Sequence, residues 1–254
     1  MLSGKPVYCD DLALKDCLVI KLLRSPHAHA RILDIDTTAA KRIPGIVEIY
    51  TYKDVPGSRF TLAGQTYPEP SPYDRKILDE IVRYVGDEVA IIVGVDEVCA
   101  EKAMKLIKVT YEVLPALLDF TKAIDHPVIV HEEDDYKTLC DIGNERMRNI
   151  CSKGESVVGD VDEVFKECDV ILERDYHTKA NAQAMMETFR SYAYIDTYDR
   201  LNVVSSTQVP FHVRRMVSNA LEIPKSSIRV AKPRIGGGFG AKQTGCCEIF
   251  AAFV

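Results

Sequence analysis

The sequence predicts an α+β fold made of two units. Two runs rich in Val, Ile and Leu have the composition of buried strands, CLVIKLLR (17–24) and EVAIIVGV (88–95). The second run leads into an amphipathic helix, DEVCAEKAMKLI, whose apolar face is formed by Cys99, Ala103, Leu106 and Ile107. A polar stretch at 120–158 then separates this first alternation of strands and helices from a second one.

The first unit is predicted to span residues 1–119. After the strand CLVIKLLR, the segment TTAAKRI is predicted to be a short helix with Thr37 or Thr38 as its N-cap. Pro44 and Gly45 are predicted to turn the chain into the strand IVEIYTY, because proline and glycine favour turns. The run EVAIIVGV, the amphipathic helix and a final strand, KVTYEVLP, complete a unit of ordinary domain size.

Residues 120–158 are polar, acidic and poor in regular pattern, so they are predicted to form an extended connection between the domains. The second unit, residues 159–254, is predicted to begin with a short helix capped by an aspartate, in GDVDEVFKECD. Its other predicted elements are the strands VILERDYHT, SYAYIDTY and LNVVSST, the helix PFHVRRMVSNAL, the strand IPKSSIRVAK and the helix QTGCCEIFAAFV. The last helix is nearly all apolar and has no polar stop signal, so the chain is expected to be part of a longer polypeptide.

Composition and charge exclude several classes of function. The net charge is −6, with acidic and basic residues mixed along the chain, so no basic face for nucleic acid is expected. No apolar run approaches the ~20 residues that span a bilayer, and MLSGKPVYCDDLAL has no signal-peptide core. A cytoplasmic protein without membrane contact is therefore expected.

The eight cysteines are scattered, and none of them forms a C-x-x-C pair. Zinc and iron–sulfur sites usually take two thiolates from one such turn, so the chain by itself is expected to bind neither. In a cytosolic chain of this size the thiols are expected to be reduced and mostly buried.

The stretch RIGGGFGAKQ places four glycines and one phenylalanine after a predicted strand. Gly236-x-Gly238-x-x-Ala241 fits the dinucleotide-binding fingerprint, whereas a P-loop would need Gly-Lys-Ser/Thr where the chain has Ala241-Lys242-Gln243. A tight turn from strand to helix, in which glycine only supplies positive φ, explains the same pattern. The motif alone leaves a phosphate site and a structural turn equally open.

Several longer motifs occur in one order along almost the whole chain. In the first unit they are RSPHAHARI, PGIVEIYTYKDVP and RYVGDEVAIIVGVDEVCAEKAMKLIKVTYEVLP, and in the second MMETF, SSTQVPFHVRRMVSNALEIP and RIGGGFGAKQ. This series resembles the molybdenum-binding subunit of the xanthine dehydrogenase and aldehyde oxidase family of molybdenum hydroxylases. The resemblance implies an N-terminal α/β-hammerhead domain followed by the first part of a mixed α/β molybdenum-cofactor-binding domain.

The cofactor implied by this resemblance is molybdenum bound to molybdopterin or to its cytosine dinucleotide form, with iron–sulfur and FAD groups on separate partner subunits. A glycine run suits an anionic metal–oxo group, because backbone N–H groups without side chains around them approach an oxygen closely. The residues implied to hold the cofactor are Gln208, Gly237, Gly238, Phe239 and Gly240. Of these, Gln208 and Phe239 are implied to lie next to the molybdenum, with Gln208 donating to one of its oxygens.

The implied reaction is hydroxylation of a carbon next to a ring nitrogen, with oxygen taken from water and electrons passed to the iron–sulfur and FAD subunits. A purine such as hypoxanthine or xanthine, another N-heterocycle and an aldehyde all stay open as the substrate. Gln243 is implied to face the substrate where the best-known purine enzymes have a glutamate, and an amide donates as well as accepts. The general base and the substrate arginine are expected beyond residue 254, in the remaining part of the subunit, so no catalytic residue is assigned within the chain.

Two functions of other classes compete with this enzyme. One is a non-catalytic scaffold that docks partner subunits, and the other is a nucleotide-binding protein that uses the glycine loop. Among single residues, Glu187 in MMETF is expected to be partly buried and bonded to the backbone rather than an acid–base group. His27 and His29 are expected to be structural, and Arg214 and Arg215 to be solvated charges on a helix face rather than phosphate ligands.

Overall fold

The computed structural model describes residues 4–5, 7–63 and 66–254, and the fold is of the α+β type that the sequence predicts. In the first half, six strands and one α-helix are found among the described residues. They are β1 (Val19–Arg24), β2 (Ala30–Asp36), β3 (Ile46–Tyr50), β4 (Ile81–Val82), β5 (Glu88–Gly94), α1 (Glu97–Met104) and β6 (Lys108–Val113).

These six strands form two antiparallel sheets. β5 lies between β1 and β3 in one sheet, and β2 lies between β4 and β6 in the other. From Val89 to Val93, β5 is at most 1% exposed, so both of its faces are covered. This burial explains why the sequence shows a continuous apolar run at β5 rather than an alternating one.

Helix α1 packs against β1 and β5. Asp96 is its N-cap, and a carboxylate oxygen of Asp96 accepts a hydrogen bond from the amide of Cys99 at 2.7 Å. Cys99, Ala100 and Ala103 are buried against the sheet, as their helical spacing predicts. The helix ends before Leu106, which is 41% exposed and does not belong to the buried face.

The first half differs from the sequence prediction in two strands and one helix. Neither β2 nor the short β4 is predicted, although Ala30 and Ile32 are buried on one face of β2. TTAAKRI forms only a 3-10 turn at Ala40–Arg42, without a side-chain cap. The amide of Thr38 instead donates to Asp36 at 2.9 Å, so this aspartate competes with helix formation.

Every residue of the connection at 120–158 is described, and it contains no strand or α-helix. Buried charges hold it against the first half. The side chain of Arg59 is 3% exposed, and its guanidinium lies 2.6 Å from the carboxylate of Asp135 and 3.1 Å from that of Glu133. The segment is therefore anchored by ion pairs, while its boundaries as a connection stay predictions.

The second half contains α2 (Val161–Lys166), β7 (Ser191–Ile195), β8 (Leu201–Ser205), α3 (Pro210–Leu221), β9 (Ile228–Ala231) and α4 (Glu248–Phe253). β8 is the middle strand of the sheet, antiparallel to β7 and parallel to β9. A parallel pair needs a crossover connection, and α3 supplies it. The predicted aspartate cap of α2 is Asp160, whose carboxylate accepts from the amide of Glu163 at 3.1 Å.

The predicted strand VILERDYHT is wrong. Residues 151–184 are exposed throughout and, apart from α2, have no helix or strand. A strand needs a neighbour for its backbone N–H and C=O groups, and none of the described strands pairs with this segment. The last helix also begins later than predicted, at Glu248, after a 3-10 turn at Ala241–Gln243.

One apolar core joins the two halves. Side chains from β5 meet side chains from β8, α3 and α4, and the members include Ile91, Val93, Val203, Val213, Met216, Val217, Ile249 and Phe250. The carboxyl ends of β8 and β9 are therefore held in a fixed place against the first half. None of the described helices has the length and apolar character needed to cross a bilayer.

All eight cysteines are free thiols. Only Cys9 and Cys99 are buried, whereas Cys151 and Cys168 are exposed, so the expectation of mostly buried thiols is wrong. Both exposed thiols lie in the segment 151–184, all of whose residues are exposed.

Candidate functional site

The glycine loop, residues 236–240, lies at the carboxyl end of the sheet of the second half. β8 and β9 are parallel neighbours, with Val204 opposite Ala231. The segments that leave the two strands therefore emerge at the same edge of the sheet. This brings the loop after β9 next to Gln208, which follows β8.

Close contact explains two of the glycines. A Cβ atom on Gly238 would lie 2.4 Å from Oε1 of Gln208, and one on Gly236 would lie 2.6 Å from Cβ of Glu187. Real Cβ atoms do not approach other atoms so closely, so any side chain here would push Gln208 or Glu187 away. The loop thus packs against Gln208 of the SSTQ motif and Glu187 of the MMETF motif.

Backbone conformation marks the rest of the loop. Gly237 has φ of 99° and Gly240 has φ of 89°, which glycine adopts without strain. Phe239 has φ of 48° and is 74% exposed. A bulky residue in the left-handed region is a conformational outlier, and such outliers concentrate at functional sites.

The hydrogen bonds of the loop leave a row of donors. Gly240 N donates to Oε1 of Gln208 at 3.2 Å, and Ala241 N donates to the carbonyl of Gly238 at 2.8 Å. Within the described residues, the amides of Gly237, Gly238 and Phe239 donate to no acceptor, and neither does Nε2 of Gln208. Consecutive backbone N–H groups of this kind form a concavity that binds anions.

Glu187 and Lys242 are hydrogen-bonded to each other, and Glu187 also binds the first residue of the loop. Oε2 of Glu187 accepts from Gly236 N at 2.7 Å and from Lys242 Nζ at 3.0 Å. Burial would raise the pKa of Glu187, but the hydrogen bonds from Gly236, Ser206 and Lys242 lower its pKa below the ordinary value. Glu187 is therefore an ionised glutamate bonded to the backbone, as expected from the sequence.

The six predicted site residues lie together. Gln208 contacts Gly238 and Gly240 directly. Gln243 is exposed at the end of the following 3-10 turn, where its backbone amide donates to the carbonyl of Gly240 at 3.2 Å. Sequence reasoning missed Lys242 and Ser206. Both residues stand inside motifs that had already supplied site residues, Lys242 in RIGGGFGAKQ and Ser206 in SSTQ. That position is the signal by which they could have been found.

Two expectations for charged residues have different outcomes. Arg215 is not a solvated charge, because its guanidinium lies 2.9 Å from Glu69, which is 1% exposed. His29 Nδ1 lies 2.7 Å from the carbonyl of Pro115, and no cluster of three metal-ligating side chains occurs in the part of the chain that the structure covers. Neither residue adds a ligand to the loop.

The dinucleotide fingerprint lacks its structural context. In that motif the glycines open an α-helix, whose N-terminus receives the pyrophosphate. Here the residues after Ala241 form a 3-10 turn and an irregular stretch, and α4 begins only at Glu248. The loop therefore offers its own backbone amides and no helix terminus.

Two protein-family models match the chain. The first describes the a/b hammerhead domain of aldehyde oxidase and xanthine dehydrogenase and matches residues 3–115, and the second describes the molybdopterin cofactor-binding domain and matches residues 142–254. The chain belongs to the aldehyde oxidase and xanthine dehydrogenase family. Its first half is a hammerhead domain, and the glycine loop lies in the molybdopterin cofactor-binding domain.

Members of this family from bacteria resemble the chain in sequence. A probable hypoxanthine oxidase of Escherichia coli O157:H7 is 38% identical over 96% of this chain and 28% of its own length. A putative xanthine dehydrogenase molybdenum-binding subunit of Escherichia coli K12 is 34% identical over 99% of this chain and 32% of its own length. The nicotine 6-hydroxylase large subunit of Paenarthrobacter nicotinovorans is 32% identical over 95% of this chain and 29% of its own length.

Solved structures of the family share the fold. The Cu,Mo-CO dehydrogenase has a TM-score of 0.76 and 30% identity, with 99% of this chain and 32% of that one covered. Quinoline 2-oxidoreductase from Pseudomonas putida 86 has a TM-score of 0.73 and 27% identity, with 95% of this chain and 30% of that one covered. The chain thus spans less than one third of the length of these relatives.

The residues of the site fit a molybdopterin cofactor. Such a group carries anionic oxygens, and the loop and the neighbouring Gln208 offer backbone amides and an Nε2 that donate to no acceptor among the described residues. Gly236 and Gly238 leave the loop without side chains where it packs on Glu187 and Gln208. Among the described residues no protein ligand set for a metal competes with this arrangement.

Proposed function

We propose that the chain is part of the molybdenum-binding subunit of a hydroxylase that oxidises an N-heterocycle with oxygen from water. The observation that carries this proposal is the row of unpaired donors formed by Gly237, Gly238, Phe239 and Nε2 of Gln208. Donors that are held in place before an anionic group binds stabilise its charge without reorganisation. This array suits a metal–oxo group better than a scaffold surface.

Each of the predicted site residues has its own role in the proposed site. Bound molybdenum–molybdopterin would supply the redox chemistry, and the chain would supply orientation and hydrogen bonds. Gln208 would donate Nε2 to an oxygen of the cofactor, because its Oε1 is occupied by Gly240 N. Phe239, which is 74% exposed, and Gly240 would lie beside the metal.

Gln243 is proposed to contact the substrate. It is exposed next to the loop, and its amide both donates and accepts, which suits the ring nitrogen and carbonyl groups of a purine such as hypoxanthine or xanthine. The names of the bacterial relatives support an N-heterocycle, since they include a hypoxanthine oxidase and a nicotine hydroxylase. We therefore place a purine first and an aldehyde last among the substrates.

The partners proposed are an iron–sulfur subunit and an FAD subunit, to which electrons pass. The scattered cysteines support iron–sulfur groups on another chain, and one relative is named as a molybdenum-binding subunit. The general base and the substrate arginine are proposed to lie outside residues 1–254. The cofactor is proposed to be molybdopterin itself or its cytosine dinucleotide.

The test is to purify the complete native complex and to measure molybdenum, pterin, iron and flavin per chain. Turnover with hypoxanthine, xanthine, nicotine and an aldehyde should then be measured in water labelled with oxygen-18. We expect molybdenum and pterin near one per chain and labelled oxygen in the product of an N-heterocycle. A complex without molybdenum would favour the scaffold, and bound nucleotide in its place would favour the nucleotide-binding protein.

A further inference from the structure

Lys242 lies two residues after the glycine loop, and its side chain is 1% exposed. Its Nζ donates to the backbone carbonyl of Glu187 at 2.8 Å, to Oε2 of Glu187 at 3.0 Å and to Oγ of Ser206 at 2.7 Å. An ammonium group has three donor hydrogens, so each of them has an acceptor. The buried charge of Lys242 is therefore fully hydrogen-bonded.

Glu187 binds the beginning of the glycine loop at two points. Its Oε2 accepts from Gly236 N at 2.7 Å, and its own backbone N donates to the carbonyl of Gly236 at 3.2 Å. The hydroxyl of Ser206 donates to the same carboxylate oxygen. Both polar backbone groups of Gly236 are thus tied to the residue that pairs with Lys242.

The backbone of Lys242 binds the residues around Gln208. Its carbonyl accepts from Gln208 N at 2.9 Å and from Oγ1 of Thr207 at 3.4 Å. Oε1 of Gln208 in turn accepts from Gly240 N. Lys242 is therefore linked to the start of the loop through Glu187 and to the side of the loop through Gln208.

We propose that Lys242, paired with Glu187, is a positioning residue that holds the glycine loop against Gln208 for the reaction. This inference rests on the proposed function. The loop packs so closely on Gln208 that a small displacement would break the contact, because a Cβ atom on Gly238 would lie only 2.4 Å from Oε1 of Gln208. An ion pair with several hydrogen bonds has a defined geometry, whereas an apolar contact lets two surfaces slide.

A structural role and a positioning role make different predictions. If Lys242 only stabilises the fold, an uncharged pair in place of Lys242 and Glu187 should restore stability and function together. Removal of Lys242 alone leaves a buried unpaired carboxylate, whereas removal of both charges does not. If the pair positions the loop, the neutral pair should restore stability but not the geometry at Gln208.

The experiment uses the complete, cofactor-loaded protein and three variants. They are Lys242→Met, the double variant Lys242→Met with Glu187→Gln, and the control Lys232→Met, whose lysine is exposed on the approach to the loop. For each we would measure the melting temperature, the molybdenum content, the electron paramagnetic resonance signal of Mo(V), and kcat and KM. The double variant carries the test if Lys242→Met does not fold.

We expect the double variant to regain most of the melting temperature lost in Lys242→Met. Its kcat should stay lower by about tenfold, the loss of roughly one charge-assisted hydrogen bond, with KM within about twofold of the wild type. Its Mo(V) signal should stay shifted, while Lys232→Met should match the wild type in every measurement.

Recovery of kcat and of the Mo(V) signal in the double variant would overturn the inference and leave Lys242 a structural residue. A wild-type signal in Lys242→Met would overturn it as well. A wild-type protein that contains no molybdenum would refute the proposed function itself, and the positioning role with it. The molybdenum content of the wild type therefore separates the two failures.

Discussion

Gln208 and Gly240 are joined by a hydrogen bond in which the loop amide donates to the side-chain oxygen Oε1 at 3.2 Å. The oxygen end of the Gln208 amide is therefore engaged, and Nε2 is the end that stays available to donate. One backbone contact thus decides that a bound group meets a donor at Gln208 and not an acceptor.

Gln208→Ala should lower kcat by about tenfold or more in the complete enzyme, because a donor to the cofactor is lost. Molybdenum content should fall in parallel. Both are measured by steady-state kinetics and metal analysis. Gln208→Glu, which keeps the acceptor for Gly240 N but replaces the donor Nε2 by an oxygen, should be no better than alanine. Full activity in Gln208→Glu would contradict the role of Nε2.

Gln243→Ala should change kcat/KM for an N-heterocycle while molybdenum content stays normal, because Gln243 is exposed beside the loop and is proposed to contact only the substrate. Gln243→Glu adds a group that titrates in water near pH 4 to 5, so the profile of kcat/KM against pH should gain a new ionisation. Loss of the metal in Gln243→Ala would place this residue in the cofactor site instead.

Gly238→Ala should displace Gln208, because the new Cβ would lie 2.4 Å from its Oε1. We expect loss of cofactor and a decrease of about 1 to 3 kcal/mol in the free energy of unfolding. Thermal unfolding and molybdenum content measure the two effects. The control is Gly154→Ala, where a Cβ meets no atom within 4 Å and no change is expected.

Glu133 should make stability depend on pH in the acid range. Burial alone would raise its pKa, but the hydrogen bond from His131, a backbone hydrogen bond and the charges of Arg83 and His131 lower the pKa to about 2. The folded pKa is thus below the unfolded one, so the stabilisation is complete above about pH 4.5 and is lost as the pH falls toward 2.

For this carboxylate we expect a contribution of about 2 to 3 kcal/mol at neutral pH, after allowance for solvent screening. Glu133→Gln should therefore unfold more easily at pH 7, and its stability should vary less between pH 5 and pH 2 than that of the wild type. Urea unfolding at several pH values measures this. Glu132→Gln, a change at the exposed neighbour, should reproduce the wild-type pH dependence.

Residues 1–254 expressed alone should self-associate. Large apolar side chains are exposed in the segment 151–184, including Val158 at 91% and Leu172 at 78%. Exposed apolar surface of this kind favours association. Light scattering should detect oligomers, and Val158→Glu with Leu172→Glu should reduce them relative to Glu155→Gln, a polar change in the same segment. A monomeric wild-type chain would contradict the prediction.

Local patterns predicted most of the regular elements. The apolar run of β5, the amphipathic pattern of α1, the aspartate cap of α2 and the proline at the start of α3 are all signals within a few residues, and each element was confirmed. The site residues Gln208 and Phe239 were predicted only from the resemblance of their motifs to those of the family. Their roles toward a cofactor stay predictions.

The failures share a physical cause. VILERDYHT has the composition of a strand, but a strand also needs a neighbouring backbone, which the sequence of one segment does not specify. TTAAKRI has threonines that can cap a helix, but in the structure the turn at Ala40–Arg42 has no side-chain cap and the amide of Thr38 donates to Asp36. In both cases residues outside the predicted segment decided the outcome.

The sequence by itself determined most of the helices and strands, the family and the presence of a bare glycine loop, because these are written in local patterns and motifs. Only the tertiary structure decided that Lys242 is buried against Glu187 and that Gly240 occupies the oxygen of Gln208. These residues are far apart in the chain. They meet because β8 and the parallel β9 end at one edge of the sheet, where the antiparallel β7 begins with Ser191 opposite Ser205. The donors of the site therefore follow from topology.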